Sequence, residues 1–202
     1  MIIHNFQQRS EDWYNYKVAR IGGTRFGQVI SGKKNRLVYD LVNEKLNGYP
    51  ELDDYIDDDM QFGIDNEPIA ADLYEIKSGL KLIEIGLIQS IKNDIHIASP
   101  DRIANDSSVV VEIKCTRNGA IHLERFFDGV DSKYLPQIKN YFAVSDKVKE
   151  VHWVSYCPYR LERPLVIHIF KREMFEKDYS KWSEQINAIE KDVKDKMNAF
   201  IL

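Results

Sequence analysis

The chain has 202 residues, 44% hydrophobic and 30% charged, a composition that suits one domain (1–202) with a sizeable core. No apolar run approaches the ~20 residues that span a bilayer, and the N-terminus lacks a basic-then-apolar export pattern, so no membrane role and a cytoplasmic setting are expected. The formal net charge of −4 excludes an overall basic signature for nucleic-acid binding, but not a local basic surface.

Acidic residues concentrate at Glu51, Asp53, Asp54, Asp57, Asp58 and Asp59, and basic ones at Lys33, Lys34 and Arg36 and at Arg160, Arg163, Lys171 and Arg172. Cys115 and Cys157 are the two cysteines, and without a CxxC pair they argue against a structural zinc or iron–sulfur site.

In chain order, Ser10 followed by Glu11 and Asp12 predicts a capped helix running to about residue 18 and carrying Trp13 and Lys17. Residues 21–24, Ile-Gly-Gly-Thr, form a turn in which Thr24 is placed to cap a short helix ending near Gly32. Such a turn leaves free backbone N–H groups, which either cap the helix alone or hold a phosphate. A third helix is expected over 36–46, stopped by Asn47-Gly48-Tyr49-Pro50, and the acidic stretch after it is a loop or a solvated helix start. Residues 61–78 read as a helix with Ile64, Ala71, Leu73, Tyr74 and Ile76 inward and Gly79 as its stop. Pro68 is acceptable there only if the helix begins close before it, which places Glu67 near the start.

Segments 81–85, 88–90 and 95–99 read as antiparallel strands. In the apolar run 109–114, Val-Val-Val-Glu-Ile-Lys, alternation puts Glu112 and Lys114 on one side and Val111 and Ile113 on the other. A helix over 132–144 carries Pro136 early and sets Gln137 and Tyr141 four apart on one face. Strands follow at 151–156 and 165–170. The last thirty residues form one amphipathic helix whose apolar positions, Phe175, Tyr179, Trp182, Ile186, Ile189, Val193, Met197 and Phe200, pack on the domain or form a coiled-coil seam.

Asp101, at a strand end after Pro100, comes before a strand bearing Glu112 and Lys114. Phosphodiester hydrolysis needs a positioned water and stabilised charge on the attacking and leaving oxygens, which one or two hard cations supply. Magnesium takes carboxylate and other oxygen ligands, here Asp101, Glu112 and the Ile113 carbonyl. Lys114 would then orient or activate the water, or stabilise charge at the phosphate. A Glu-x-Lys pair on a strand is otherwise a surface ion pair.

Ser99-Pro100-Asp101 with Glu112-Ile113-Lys114-Cys115 resembles the PD-(D/E)xK nuclease signature as found in the lambda exonuclease-like family of phage-recombination alkaline exonucleases. Trp13, Lys17 and Thr24, then Phe62-Gly63 with Glu67, Ala71 and Ser78-Gly79, then Tyr134-Leu135-Pro136-Gln137-Ile138, match that family in the same order. The resemblance implies an α/β fold with a restriction-endonuclease-like core, a central mixed sheet flanked by helices and a long C-terminal helix. It implies Glu67, Asp101, Glu112 and the Ile113 carbonyl as ligands of Mg2+ or Mn2+, two ions per site, with Lys114 at the attacking water and Gln137 beside it. It implies Thr24 and Ser99 at a terminal 5′-phosphate, where the family's arginine is replaced by Lys17, with Arg20 and Arg25 as alternatives. The activity implied is processive 5′→3′ digestion of linear double-stranded DNA, leaving a 3′ single strand for an annealing protein or recombinase. A ring-shaped trimer in a bacterial cytoplasm is implied as well.

Overall fold

The computed structural model describes residues 1–49 and 57–201. Of the acidic stretch, Glu51, Asp53 and Asp54 lie outside the described residues. The elements are β1 (Ile2–His4), α1 (Glu11–Lys17), α2 (Gly23–Ile30), α3 (Lys34–Asn47), α4 (Asp58–Ser78), β2 (Leu82–Ile83), β3 (Leu87–Gln89), β4 (Ile97–Ala98), β5 (Arg102–Ala104), β6 (Val109–Cys115), α5 (Gly119–Phe127), α6 (Leu135–Val144), β7 (Glu150–Tyr156), β8 (Leu165–Lys171) and α7 (Tyr179–Ile201).

The main sheet has the order β2-β5-β6-β7-β8 and is mixed. β6 and β7 run parallel, with Glu112 opposite Trp153 and Lys114 opposite Ser155, and the other neighbours are antiparallel. A parallel pair needs a long crossover, which α5 and α6 supply. A small antiparallel sheet, β1-β3-β4, lies apart from it.

Alternation along β6 divides the interior. Val109, Val111 and Ile113 pack with Ala70, Ala71 and Tyr74 of α4, while Val110 packs with Ile138, Tyr141 and Phe142 of α6. Glu112 therefore emerges on the α6 face, among buried apolar side chains. A third cluster joins Phe26 and Val29 of α2 and Leu37 and Leu41 of α3 to Trp182, Ile186, Ile189 and Val193 of α7, so the terminal helix packs on its own domain.

Several expectations change. α2 begins at Gly23 with Gly22 as N-cap and no side-chain cap bond, so Thr24 lies inside the helix. Pro68 lies well inside the 21-residue α4, a helix that Asp57 caps by accepting from the Met60 N–H at 2.7 Å. Ile76 is 81% exposed and not on the inner side. Phe175 falls in the 3-10 segment Arg172–Asp178 before α7, and Phe200 is exposed.

Several residues of the basic clusters are paired. Lys34 pairs with Asp192 at 3.5 Å, Arg36 with Asp40 at 2.7 Å and Lys171 with Glu150 at 3.9 Å. Arg172 turns inward and donates to the carbonyls of Phe142, Ser145 and Val148 at 2.9–3.1 Å, closing the end of α6.

His96 is buried, stacked on Phe26 and bonded through Nε2 to Asn140 Oδ1 at 2.8 Å. Burial lowers its pKa from 6.5 to about 4, against the opposing pull of the Asn140 bond. The unfolded chain therefore binds a proton below pH 6.5 that the folded chain refuses, and stability falls as pH drops toward 4, by about 3 kcal/mol from this group. Urea unfolding of His96→Gln should show an acid-side loss smaller by about that amount.

Candidate active site

β6 carries Glu112 into a buried position where its carboxylate ion-pairs with Lys114 and accepts a hydrogen bond from the Tyr141 hydroxyl. Asp101, immediately before β5, accepts the Ile113 N–H on Oδ2 at 2.6 Å. β5 pairs with β6 only as far as Val111, so beyond it the β6 edge is open to the Asp101 side chain. The N–H and C=O of one residue leave an extended strand on the same side, so the Ile113 carbonyl faces that same open edge.

Burial pushes the Asp101 carboxyl well above the usual range, and the Glu112 charge adds to this against the pull of Lys114. For Lys114, burial lowers the ammonium pKa, but the Glu112 and Asp101 carboxylates outweigh it and hold the pKa above the ordinary lysine value. The lysine is a cation here, which suits charge stabilisation and orientation of a water better than proton abstraction. From behind, Arg125 of α5 donates to the Lys114 carbonyl and to the Ser155 hydroxyl, each at 3.1 Å, tying the end of β6 to β7.

Gln137 and Tyr141 meet this cluster as their spacing on α6 predicts. Gln137 Nε2 donates to the Tyr141 hydroxyl at 3.3 Å, and the Ser99 carbonyl lies 3.1 Å from the same oxygen. Tyr141 thus bridges Gln137 to Glu112, a role its position four residues after Gln137 hinted at but did not assign. Burial and the neighbouring carboxylates raise its hydroxyl pKa, so it stays a donor.

Glu67 is placed differently. It belongs to α4, which packs on the other face of β6, and its carboxylate is held by Arg9 and Arg102 at 3.3 Å each, near enough to the sheet edge for its charge to add to the upward push on Asp101. Among the described residues no three His, Cys, Asp or Glu side chains converge as a metal-binding group. The donors on the α6 side are nevertheless all oxygen, from Asp101, Glu112 and the Ile113 edge, with no thiolate or imidazole, and this chemistry fits a hard cation such as Mg2+ or Mn2+.

Asp101, Glu112, Lys114 and Gln137 line a cavity of about 580 Å³ together with Lys17, Arg20, Thr24, Arg25 and Ser99. Lys17 Nζ sits 3.5 Å above the Trp13 ring. Burial, reinforced by Arg25, lowers its pKa to about 8. The alternatives to Lys17 line the same cavity and also have partners within the protein. Arg25 pairs with buried Glu44 and donates to the Arg20 carbonyl at 2.9 Å. Arg20 stacks on Tyr16 and donates to its carbonyl.

The Ser99 hydroxyl donates its proton to the Gly86 carbonyl at 2.5 Å, and its oxygen accepts from the Trp13 indole at 3.0 Å, which helps hold Trp13 beneath Lys17. Gly22, Gly23 and Thr24 at the start of α2 line the same cavity, and no side chain caps the first N–H groups of that helix. Gly23 lets α2 approach α6 this closely, since a Cβ there would meet Gln137 Cγ at 2.9 Å.

A mixed sheet between helices with a long C-terminal helix is a fold that solved exonuclease structures share. The crystal structure of an alkaline exonuclease, LHK-Exo from Laribacter hongkongensis, superposes with a TM-score of 0.81 at 22% identity, over 95% of this chain and 96% of that one. Its complex with dAMP gives the same TM-score at 21% identity and the same coverage. A phage related exonuclease from Haemophilus somnus 129PT matches at 0.63 and 15% identity, over 90% of this chain and 96% of that one.

Residues 12–148 match the YqaJ-like viral recombinase domain, and the chain belongs to that family. A comparison with curated proteins finds no match. None of the helices in the described residues is long and apolar enough to cross a membrane.

Proposed function

We propose that this protein is a metal-dependent exonuclease that digests linear double-stranded DNA from the 5′ end. The observation that carries the reading is that one cavity is lined both by the Asp101–Glu112–Lys114 cluster and by Lys17 and the uncapped start of α2. A hydrolytic centre and an anion anchor in one nucleotide-sized space suit work on a strand terminus. The similar solved structures, an alkaline exonuclease, its dAMP complex and a phage related exonuclease, support this reading.

In this mechanism Asp101, Glu112 and the Ile113 carbonyl would hold Mg2+ or Mn2+, two ions with Glu67 as a further ligand. Metal held there would supply activation of water and an offset for charge on the attacking and leaving oxygens. Lys114, kept cationic by Glu112, stabilises negative charge at the scissile phosphate and orients the attacking water. Tyr141 fixes the Glu112 carboxylate, and Gln137 fixes Tyr141. Lys17, Thr24 and the α2 N–H groups bind the terminal 5′-phosphate, and Ser99 positions Trp13 under Lys17. We assign the whole chain to a single domain working in a bacterial cytoplasm as a ring-shaped trimer. It supplies 3′ single strands to an annealing protein or recombinase.

The test uses linear duplexes with 5′-phosphate or 5′-hydroxyl ends and covalently closed circles, each with Mg2+. Mononucleotide release from linear duplex, preference for the 5′-phosphate and intact circles are expected. Cut circles would make the protein an endonuclease, and end binding without hydrolysis would make it an end-binding protein.

Lys17→Ala should lose the 5′-phosphate preference, a change of about tenfold or more in kcat/KM if one charge-assisted contact disappears. In the wild type the same preference should decline as pH rises through about 8, where free Lys17 loses its proton.

A further inference from the structure

Two arginines hold Glu67, and they are not equivalent. Arg102 is 12% exposed and is also fixed by the Asp101 carbonyl at 2.5 Å and by Glu84 at 3.6 Å. Arg9 is 42% exposed and lines the cavity, and among the described residues Glu67 is the one side chain it bonds.

The Arg9 backbone has φ 64, a left-handed conformation that residues with long side chains seldom adopt. It is pinned on both sides. Gln8 Nε2 donates to the carbonyls of Ile85 and Pro100 at 2.9 and 2.8 Å, and Ser10 caps α1. The backbone that carries the guanidinium is thus held in place, and Arg9 lines the cavity that the acidic cluster also lines. The planar guanidinium fork suits a phosphate oxygen pair as well as a carboxylate.

We propose that Arg9 is an exchangeable latch on Glu67: with no DNA in the cavity it holds the carboxylate, and a backbone phosphate of the entering strand takes its place, releasing Glu67 as a further ligand for the metal. The proposal rests on the nuclease reading above. It makes DNA and metal binding mutually reinforcing, because each favours the arrangement the other needs.

The experiment measures Mn2+ binding to the full chain by electron paramagnetic resonance of the free ion. It is done alone and with a 5′-phosphorylated duplex whose terminal linkages are hydrolysis-resistant phosphorothioates. Without DNA, Arg9→Gly should bind Mn2+ about two- to fivefold more tightly than the wild type, the scale of one partly exposed ion pair. Glycine accepts φ 64 without strain, so the loop keeps its course.

Addition of the duplex should tighten Mn2+ binding in the wild type and clearly less in Arg9→Gly, with Arg9→Lys between them. In a Glu67→Gln background the Arg9 replacement should leave Mn2+ affinity unchanged. Duplex affinity of Arg9→Gly should show a salt slope shallower by about 0.9, one phosphate contact. Unchanged or weaker Mn2+ binding by Arg9→Gly, or equal tightening by duplex in both proteins, would overturn the latch. A wild-type chain that binds neither Mn2+ nor duplex would instead overturn the nuclease reading, and the latch with it.

Discussion

Lys114→Ala should lower the rate of DNA hydrolysis by about two to four orders of magnitude while leaving Mn2+ and duplex binding in place, the usual scale for one positioned charged or proton-transferring group. Lys114 is the cation set among Asp101 and Glu112, and its charge is sustained by them. Alanine removes the positive group at the phosphate and leaves two neighbouring carboxylates facing each other in a buried site. The variant should therefore melt lower than the wild type, and Mn2+ should recover most of the deficit, because a divalent ion replaces the lost counter-charge. Single-turnover kinetics and thermal melts with and without Mn2+ read both effects. Near-normal turnover would remove Lys114 from the chemistry.

Glu112→Gln is expected to be more damaging, abolishing hydrolysis and weakening Mn2+ binding together. The carboxylate is 1% exposed, pairs with Lys114 and accepts the Tyr141 hydroxyl. An amide keeps the size and one acceptor but removes the charge. Breaking one partner out of a buried ion pair costs about 3–5 kcal/mol, reduced here to the extent that Lys114 sheds its proton. The contrast between the two variants is diagnostic: Mn2+ should rescue the melting temperature of Lys114→Ala and not that of Glu112→Gln. Equal rescue in both would mean that Glu112 is not a metal ligand.

Much of the fold was legible because its signals are local. The alternation in Val109–Cys115 put Glu112 and Lys114 together, as their ion pair confirms, and the i, i+4 spacing on α6 put Gln137 beside Tyr141. The threes and fours of the last segment gave a helix, although Phe175 belongs to the turn before it.

Helix α5 was not legible. Its one buried residue is His122, held by Ser155 at 3.0 Å and by the Arg163 carbonyl at 2.9 Å, while Ile121, Leu123, Phe126 and Phe127 face outward. A helix that buries its polar residue and exposes its apolar ones gives no usable pattern. β1 escaped for a simpler reason: three residues, partly exposed, do not make a periodicity.

Residue type and spacing by themselves determined an acid–lysine cluster on one face of a strand and a Gly-Gly-Thr turn at the start of a helix, while the exonuclease-like reading came from the resemblance of the ordered motifs. Which charges are free to act was decided only by tertiary structure. Glu67 and Glu112 look alike in sequence, yet one is clamped by Arg9 and Arg102 across the sheet edge and the other is buried against Lys114 and Tyr141. Lys17, Arg20 and Arg25 were interchangeable candidates in sequence and all three line the cavity, but Arg25 pairs with Glu44 and Arg20 donates to the Tyr16 carbonyl, while Lys17 lies over Trp13. The physical reason is common to both cases. An ionisable side chain is defined by its partners and its burial, and those partners come from helices and strands far apart in the chain.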